Sequence, residues 1–322
     1  MRKFVYGIIA IAAIGMFAAC QKDGKYNPKK KIANVYEESL LTTTNNYGDG
    51  MQTDTNYTPK HLTERWTWDG DKLTQITYIH TIWNMDGTTG RDLSEYVVNF
   101  TYDGKQLTEV TGDDERMVFT YDGKKLQKAE IYYGSTTLHT TPYITMVFEH
   151  DGKKISKIIV TENVSGMGKS TLGRMERLLL GNLLPDLNPV EDVFAVTRKS
   201  GAKETVSATI ELTWDGDNVS RVDIKDGQYT ESETYTYDNK KNPFQGFLYA
   251  MGYGMIGEGL EFTNKNNVVK VVYSGSDSYD YSEVNYTYTY DGDWPTSCSN
   301  IRGHSHENGD WYERETKYLE YK

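Results

Sequence analysis

WTWDGDKLTQIT, residues Trp66 to Thr77, decides the fold of this chain because variants of it recur along the whole length. FTYDGKQLTEVT follows at Phe100 to Thr111, then FTYDGKKL from Phe119, FEHDGKKISKI from Phe148 and LTWDGDNVSRV from Leu212. Two worn copies, YTYDNKK from Tyr235 and FTNKNNVVKVV from Phe262, precede a last clear one, YTYDGDWPTS from Tyr288. Eight copies of one short motif mark a repeat array, in which each unit buries its apolar face against its neighbours rather than alone.

The unit reads as a β-hairpin. Aromatic residues sit three and one positions before the aspartate, as in Trp66 and Trp68, Phe100 and Tyr102, Phe119 and Tyr121, Tyr235 and Tyr237, Tyr288 and Tyr290. A spacing of two puts both on one face of a strand. Asp-Gly supplies the turn, since glycine takes a positive φ without steric cost and aspartate tolerates it. Apolar residues follow four and seven positions after the aspartate, as Leu73 and Ile76, Leu107 and Val110, Ile155 and Ile158, Val219 and Val222. An interval of three breaks strict alternation, so a bulge beside the turn is expected. Further turn signals, Met85-Asp86-Gly87 and Thr111-Gly112-Asp113, return the chain between units. The expected fold is all-β, a long twisted antiparallel meander of β-hairpin repeats.

Two segments interrupt the array, at about 165–205 and 242–260. Ser170 to Leu184 places Leu172, Met175, Leu179 and Leu183 at helical spacing behind a capping serine and stops before Pro185. Asn242 to Leu260 is apolar and glycine-rich, with Phe244, Phe247, Leu248 and Met251 at helical intervals after Asn242-Pro243. Both are read as short helical insertions covering a sheet face or end, with use as a partner surface as the alternative.

The N-terminus carries its own signal. Arg2 and Lys3 precede an apolar run from Phe4 to Ala19, short for a membrane span and ending in small residues, which reads as a signal peptide over residues 1–19. Phe17-Ala18-Ala19-Cys20 resembles a bacterial lipobox, with Phe17 where leucine is usual. The resemblance implies a lipid on Cys20 and a mature protein anchored to a membrane without crossing it; the alternative is an ordinary cleaved signal. Lysine-rich residues 20–31 then form a flexible tether, and 32–322 a single domain. Cys20-Gln21-Lys22-Asp23 also resembles the export signal that takes Bacteroidetes lipoproteins to the outer face of the outer membrane, with the periplasmic face as the alternative.

Removing residues 1–19 takes away Arg2 and Lys3 and no acid, which moves the formal charge from -11 to -13. Nucleic-acid binding needs clustered Lys and Arg, and here lysine is interleaved with aspartate and glutamate. With Cys20 acylated, Cys298 is the remaining thiol, too few for a disulfide framework or a cysteine-ligated zinc site within the chain.

Several motifs tempt. Gly166-Met167-Gly168-Lys169-Ser170-Thr171 resembles a phosphate loop, but Asn163 stands at the first glycine and no parallel α/β pattern surrounds it. His304 and His306 alternate beside Glu307 without a second pair nearby. Asp-Gly-Asp at 69, 215 and 291 lacks the remaining ligands of a calcium loop and reads as turns. No GxSxG or HExxH is present, and no carboxylate pair stands out from the repeats. No cofactor is expected.

The hairpins resemble the tyrosine-aspartate repeats of Rhs-type proteins, with a shorter turn and fewer copies. The signal with its cysteine, KIANVYEE, RWTWDGDKLTQITY, YDNKKNPFQGF and YTYDGDWPTS together resemble the uncharacterised repeat-containing lipoproteins of Bacteroidales gut bacteria. That resemblance implies location and fold and brings no activity or functional residues. The reading is a membrane-anchored, non-catalytic binding or adhesion protein of the cell envelope with a glycan or protein ligand. A structural component of an envelope complex acting through 242–260 is the alternative, and a hydrolase the third class. Trp83, Trp294 and Trp311, outside the aspartate-linked pairs, are the candidate ligand contacts, against ordinary sheet packing.

Overall fold

A computed structural model of the chain describes residues 25–46, 51–83, 89–112, 115–133, 141–142, 144–162, 205–226, 229–248, 263–275, 283–306 and 309–322. Sixteen strands run through them: β1 (Ile32–Asn46), β2 (Met51–Asp69), β3 (Lys72–Trp83), β4 (Thr89–Asp103), β5 (Gln106–Thr111), β6 (Glu115–Asp122), β7 (Lys125–Tyr133), β8 (Ile144–Asp151), β9 (Lys154–Glu162), β10 (Thr205–Asp215), β11 (Asn218–Asp226), β12 (Tyr229–Tyr237), β13 (Val268–Gly275), β14 (Glu283–Asp291), β15 (Trp294–His306) and β16 (Gly309–Tyr321). Each pairs antiparallel with its neighbour in sequence, as a meander requires. The expected long meander is corrected in one respect: β1 pairs with β16 from Ile32↔Tyr321 to Asn45↔Gly309, so the sheet closes into a barrel. Closure removes the unpaired edges that a meander of this length would expose.

Closure also completes the repeat count. YTYDNKK and FTNKNNVV are the two strands of one unit, since Tyr237 pairs with Val268 and Tyr235 with Val271. The eighth unit is split between the chain ends. Leu319 and Tyr321 stand in the aromatic positions and Ile32 and Val35 in the apolar ones, and the Lys322 N–H donates to the Lys31 carbonyl at 3.0 Å. The register skips Ala33 between Ile32 and Asn34, as it skips Thr74 between Leu73 and Gln75.

The expected bulge is therefore present, and it organises the barrel. Its extra residue is often Ser or Thr, whose hydroxyl donates across the hairpin: Thr74 to the Thr67 carbonyl at 3.1 Å, Thr108 to Thr101 at 3.2 Å, Ser156 to Glu149 at 3.3 Å and Ser220 to Thr213 at 3.2 Å. The carbonyl just before the bulge accepts from the next unit's aromatic residue beside its aspartate. Tyr102 reaches Leu73 at 2.9 Å, Tyr121 reaches Leu107 at 2.6 Å, His150 Leu126 at 2.7 Å, Trp214 Ile155 at 2.7 Å and Tyr237 Val219 at 2.6 Å. Trp68 bonds Ile32 and Tyr321 bonds Pro295 in the same way, while Tyr290 bonds the Asp238 carboxylate instead. Eight such links, one per unit, run round the barrel.

Six tight turns form the rim at one end, with glycine φ of 54–63° at Gly70, Gly104, Gly123, Gly152, Gly216 and Gly292. The β12–β13 connection replaces the seventh. There Asp238 accepts from the Lys240 and Asn267 N–H groups at 3.0 and 3.1 Å, and Asn218 accepts from those of Lys265 and Asn266. Asn264 accepts from the Val219 N–H at 2.9 Å, and Asn242 from that of Phe244 at 2.8 Å. This asparagine latch lets residues 242–248 turn into the barrel, where Phe244, Phe247 and Leu248 are at most 2% exposed. The helix expected at 242–260 is absent over its described part, 242–248. The Gln245 N–H donates to the Asn242 carbonyl at 3.5 Å and that of Phe247 to the Phe244 carbonyl at 2.8 Å, each closing one turn, and Gly246 at φ 86° stops propagation. Ser170–Leu184 lies outside the described residues.

Sixteen strands enclose more space than their own side chains fill, and the plug occupies it. Phe247 packs on Tyr26, Trp66 and Phe100 with ring centroids 4.8, 5.1 and 5.8 Å away. Around it stand Leu73, Leu107, Leu126, Ile155 and Val219, then Ile76, Val110, Ala129, Ile158 and Val222, all buried. Alternating outward positions carry Arg65, Thr67, Asn99, Thr101, Thr120, Glu149, Thr213, Thr234, Asn285 and Thr287, all exposed. No helix among the described residues is long and apolar enough to cross a membrane. At these alternating positions the wall is polar outside and apolar inside, while Val147, Val272, Ile301 and Tyr312 also stand exposed.

Candidate functional site

The split unit shapes the candidate site. A groove of about 970 Å³ lies on the outer wall over the β1–β16 seam, lined from β1, β2, β14, β15 and β16. Sequence distance is bridged only by closure, since Glu38 and Tyr318 are 280 positions apart. On β2 the register slips where Glu37 meets His61 and Ser39 meets Thr58, which leaves Pro59 and Lys60 against Glu38. Proline is tolerated at such a bulge because it has no ladder N–H to donate. The bulge throws Lys60 outward, and its ammonium lies 4.0 Å from the Tyr318 ring centroid and 5.0 Å from that of Tyr36.

Two carboxylates frame these rings. Glu38 accepts from Tyr318 at 2.6 Å and Tyr57 at 2.8 Å, and these bonds, Tyr318 first, hold its carboxyl below the ordinary range. The same contact pushes the Tyr318 hydroxyl up to about 12. Glu320 accepts from Asn34 at 2.7 Å and Tyr36 at 3.0 Å and is likewise lowered. Hydrogen bonds to the charged form account for both shifts. The opposite wall is a ladder of hydroxyls: Thr289 to Ser297 at 2.7 Å, Thr289 to Thr296 at 2.9 Å and Ser299 to Thr316 at 2.8 Å. Tyrosine rings, fixed carboxylates, Arg314, Lys60 and paired hydroxyls give the groove apolar planes with donors and acceptors at their margins.

A second polar cluster lies inside the barrel, one strand step above the apolar floor. Glu64, 7% exposed, accepts from the Trp66 indole at 2.8 Å, and burial pushes its carboxyl up to about 7. Burial also raises Glu37. Lys317 bonds Glu315 at 3.2 Å; burial alone lowers its pKa, but Glu315, Glu37 and Glu64 together hold it raised. The cluster puts charge on the lumen side of β16, β1 and β2, beyond the packed floor.

The residues singled out from sequence are not brought together. Trp294 sits half-buried at the rim, edge-on to Tyr321 at 6.2 Å, with Lys241 5.5 Å from its ring centroid. Trp83 pairs with Thr89 near the far end of β3, and Trp311 with Thr43 and His304 near the far end of β16. Cys298 is 5% exposed in the apolar layer. His304 and His306 lie on β15, and no group of three metal-ligating side chains occurs among the described residues. Cys20 and residues 166–171 lie outside the described residues. Tyr36, Tyr57, Lys60 and Tyr318 were missed. The one local hint is the Pro59-Lys60 pair inside a strand-like run.

No protein-family model and no curated protein matches the chain. Among solved structures it is similar to a porin-like protein from Bacteroides uniformis ATCC 8492, at 14% identity over 88% of this chain and 97% of that one, with a TM-score of 0.48. A porin-like protein from Bacteroides vulgatus ATCC 8482 aligns at 10% identity over 91% and 99% of the two chains, with a TM-score of 0.33.

Proposed function

We propose that this chain is a lipid-anchored, non-catalytic binding protein of the cell envelope whose seam groove takes a polyhydroxylated, carbohydrate-like ligand. The observation that carries it is the pairing of the Tyr36 and Tyr318 rings with Glu38 and Glu320, each carboxylate already fixed by a tyrosine hydroxyl. Rigid amphipathic rings give contact area at low entropic cost. Carboxylates and hydroxyls oriented in advance accept and donate to sugar hydroxyls without reorganisation. Both carboxyls are held ionised by the same bonds, which suits binding and leaves neither poised as a general acid.

The assembly alternative loses its expected surface over residues 242–248, whose apolar side chains are buried in the barrel's own core. The lipid on Cys20 and display on the cell exterior belong to this proposal, supported by the sequence of residues 17–23.

Calorimetry of the purified protein against a panel of soluble oligosaccharides tests the reading. Wild type should bind at least one, and the Tyr36→Ala, Tyr318→Ala double variant should bind it at least tenfold more weakly, about 1.4 kcal/mol, with an unchanged melting temperature. A panel without binders, or equal binding by the variant, contradicts it. Protease treatment of intact cells should degrade the protein while a periplasmic control survives; protection places it on the inner side.

A further inference from the structure

We infer that the turn rim is a membrane-docking surface, seated on the phosphate-bearing headgroups of the leaflet that holds the anchor, so that the seam groove stands on a barrel wall rising from the bilayer. This rests on the proposed lipid at Cys20 and adds an orientation to it. The chain enters the barrel at the rim. Tyr26 is 4% exposed among the plug residues, with its hydroxyl on the Pro243 carbonyl at 2.9 Å, and Lys31 bonds the Gly70 carbonyl at 2.6 Å. Five residues lie between Cys20 and Tyr26, so the two are at most about 20 Å of extended chain apart. An anchor on Cys20 therefore holds this end of the barrel, and not the other, close to the lipid.

The rim is charged for that neighbour. Residues 29–31, 69–72, 103–106, 122–125, 151–154, 215–218, 238–241, 265 and 291–294 hold twelve lysines against ten aspartates, with no glutamate or arginine, whereas the whole chain carries -11. Four of the ten aspartates, Asp71, Asp217, Asp291 and Asp293, are answered by lysines of the rim itself. Lys31 pairs with Asp71, Lys240 and Lys241 with Asp293, Lys265 with Asp217, and Lys30 with Asp291. Four lysines outside these pairs, Lys105, Lys124, Lys125 and Lys153, are exposed on three successive turns, against the three exposed aspartates Asp103, Asp122 and Asp151 of the same turns. Clustered lysines near a bilayer are drawn to anionic headgroups, within a range set by salt.

The test uses the full lipidated protein in vesicles of phosphatidylcholine and phosphatidylglycerol, with mass spectrometry of its N-terminal peptide. A fluorescent donor is attached at Thr120→Cys, beside the rim, or at Tyr312→Cys, toward the other end, with acceptor on the lipid headgroups. Energy transfer should be severalfold greater from position 120. Changing Lys105, Lys124, Lys125 and Lys153 to Gln, or raising salt, should shrink the difference while acylation is unchanged. Equal transfer from both positions with an acylated Cys20 overturns the docking alone. An unmodified Cys20 overturns the anchor and the docking with it. A transfer difference that survives the four Gln changes assigns the stance to the tether and overturns the electrostatic contact.

Discussion

The six Asp-Gly hairpins and the β12–β13 connection solve the same problem in two ways. Both hold an aromatic strand against a bulged return strand in the same register, Trp68↔Leu73 in one and Tyr237↔Val268 in the other. The hairpins turn in the fewest residues, using glycine at positive φ. The β12–β13 unit instead fixes its ends with Asp238, Asn242, Asn264 and Asn267, which frees residues 242–248 to enter the lumen. The comparison teaches that the repeats alone build a wall, and that one unit had to give up its turn to fill what the wall encloses.

Breaking the plug should have the largest effect. Phe247→Ala removes a side chain 1% exposed that touches three rings of the core, and should cost about 3–5 kcal/mol in denaturant unfolding. A loss below about 1 kcal/mol would show that the wall holds without it. The next effect is pH-dependent. Glu64 has an ordinary value of 4.5 and a folded value of about 7, so the fold favours its neutral form. That contribution is fully present below pH 4.5 and is lost as pH rises through 7. Glu64→Gln should abolish a fall in stability across that window of at most roughly 3 kcal/mol. Phe247→Ala should flatten it as well by admitting water near Trp66. A wild-type profile flat over this range would sink the assignment.

Smaller effects separate the turns from the links between units. Gly123→Ala, at φ 58° with nothing within 4 Å of an added Cβ, should cost about 1–2 kcal/mol from backbone strain alone. Tyr121→Phe, which removes one link to the Leu107 carbonyl, should cost about 1 kcal/mol. Chemical denaturation at one pH resolves both, and a Gly123→Ala variant as stable as wild type would deny the turn its special backbone.

Much of the hairpin was legible because it is local. Alternation placed Trp66 and Trp68 on one face, Asp-Gly predicted the turn, and the three-residue interval from Leu73 to Ile76 predicted the bulge. Closure was illegible because its evidence is divided between Leu319–Tyr321 and Ile32–Val35, at opposite ends of the chain. Residues 242–248 misled because a plug packed on all sides shows the same spacing of Phe244, Phe247 and Leu248 as a buried helical turn, while Gly246 decides against the helix. Trp83, Trp294 and Trp311 were chosen for lying outside the core pairs. The groove selects instead tyrosines on outward positions of strands that are neighbours only in the closed sheet.

The groove, the rim and the reach of the tether all depend on the seam. Hydrogen exchange by mass spectrometry on peptides from β1 and β16 therefore tests the structure most directly, in comparison with β4 and β6. A closed barrel predicts that amides around Val35–Leu40 and Arg314–Leu319 exchange as slowly as those of the interior strands, because both sides of each strand are paired. Rapid exchange confined to β1 and β16 would mean an open sheet with two free edges, and the seam groove would not exist.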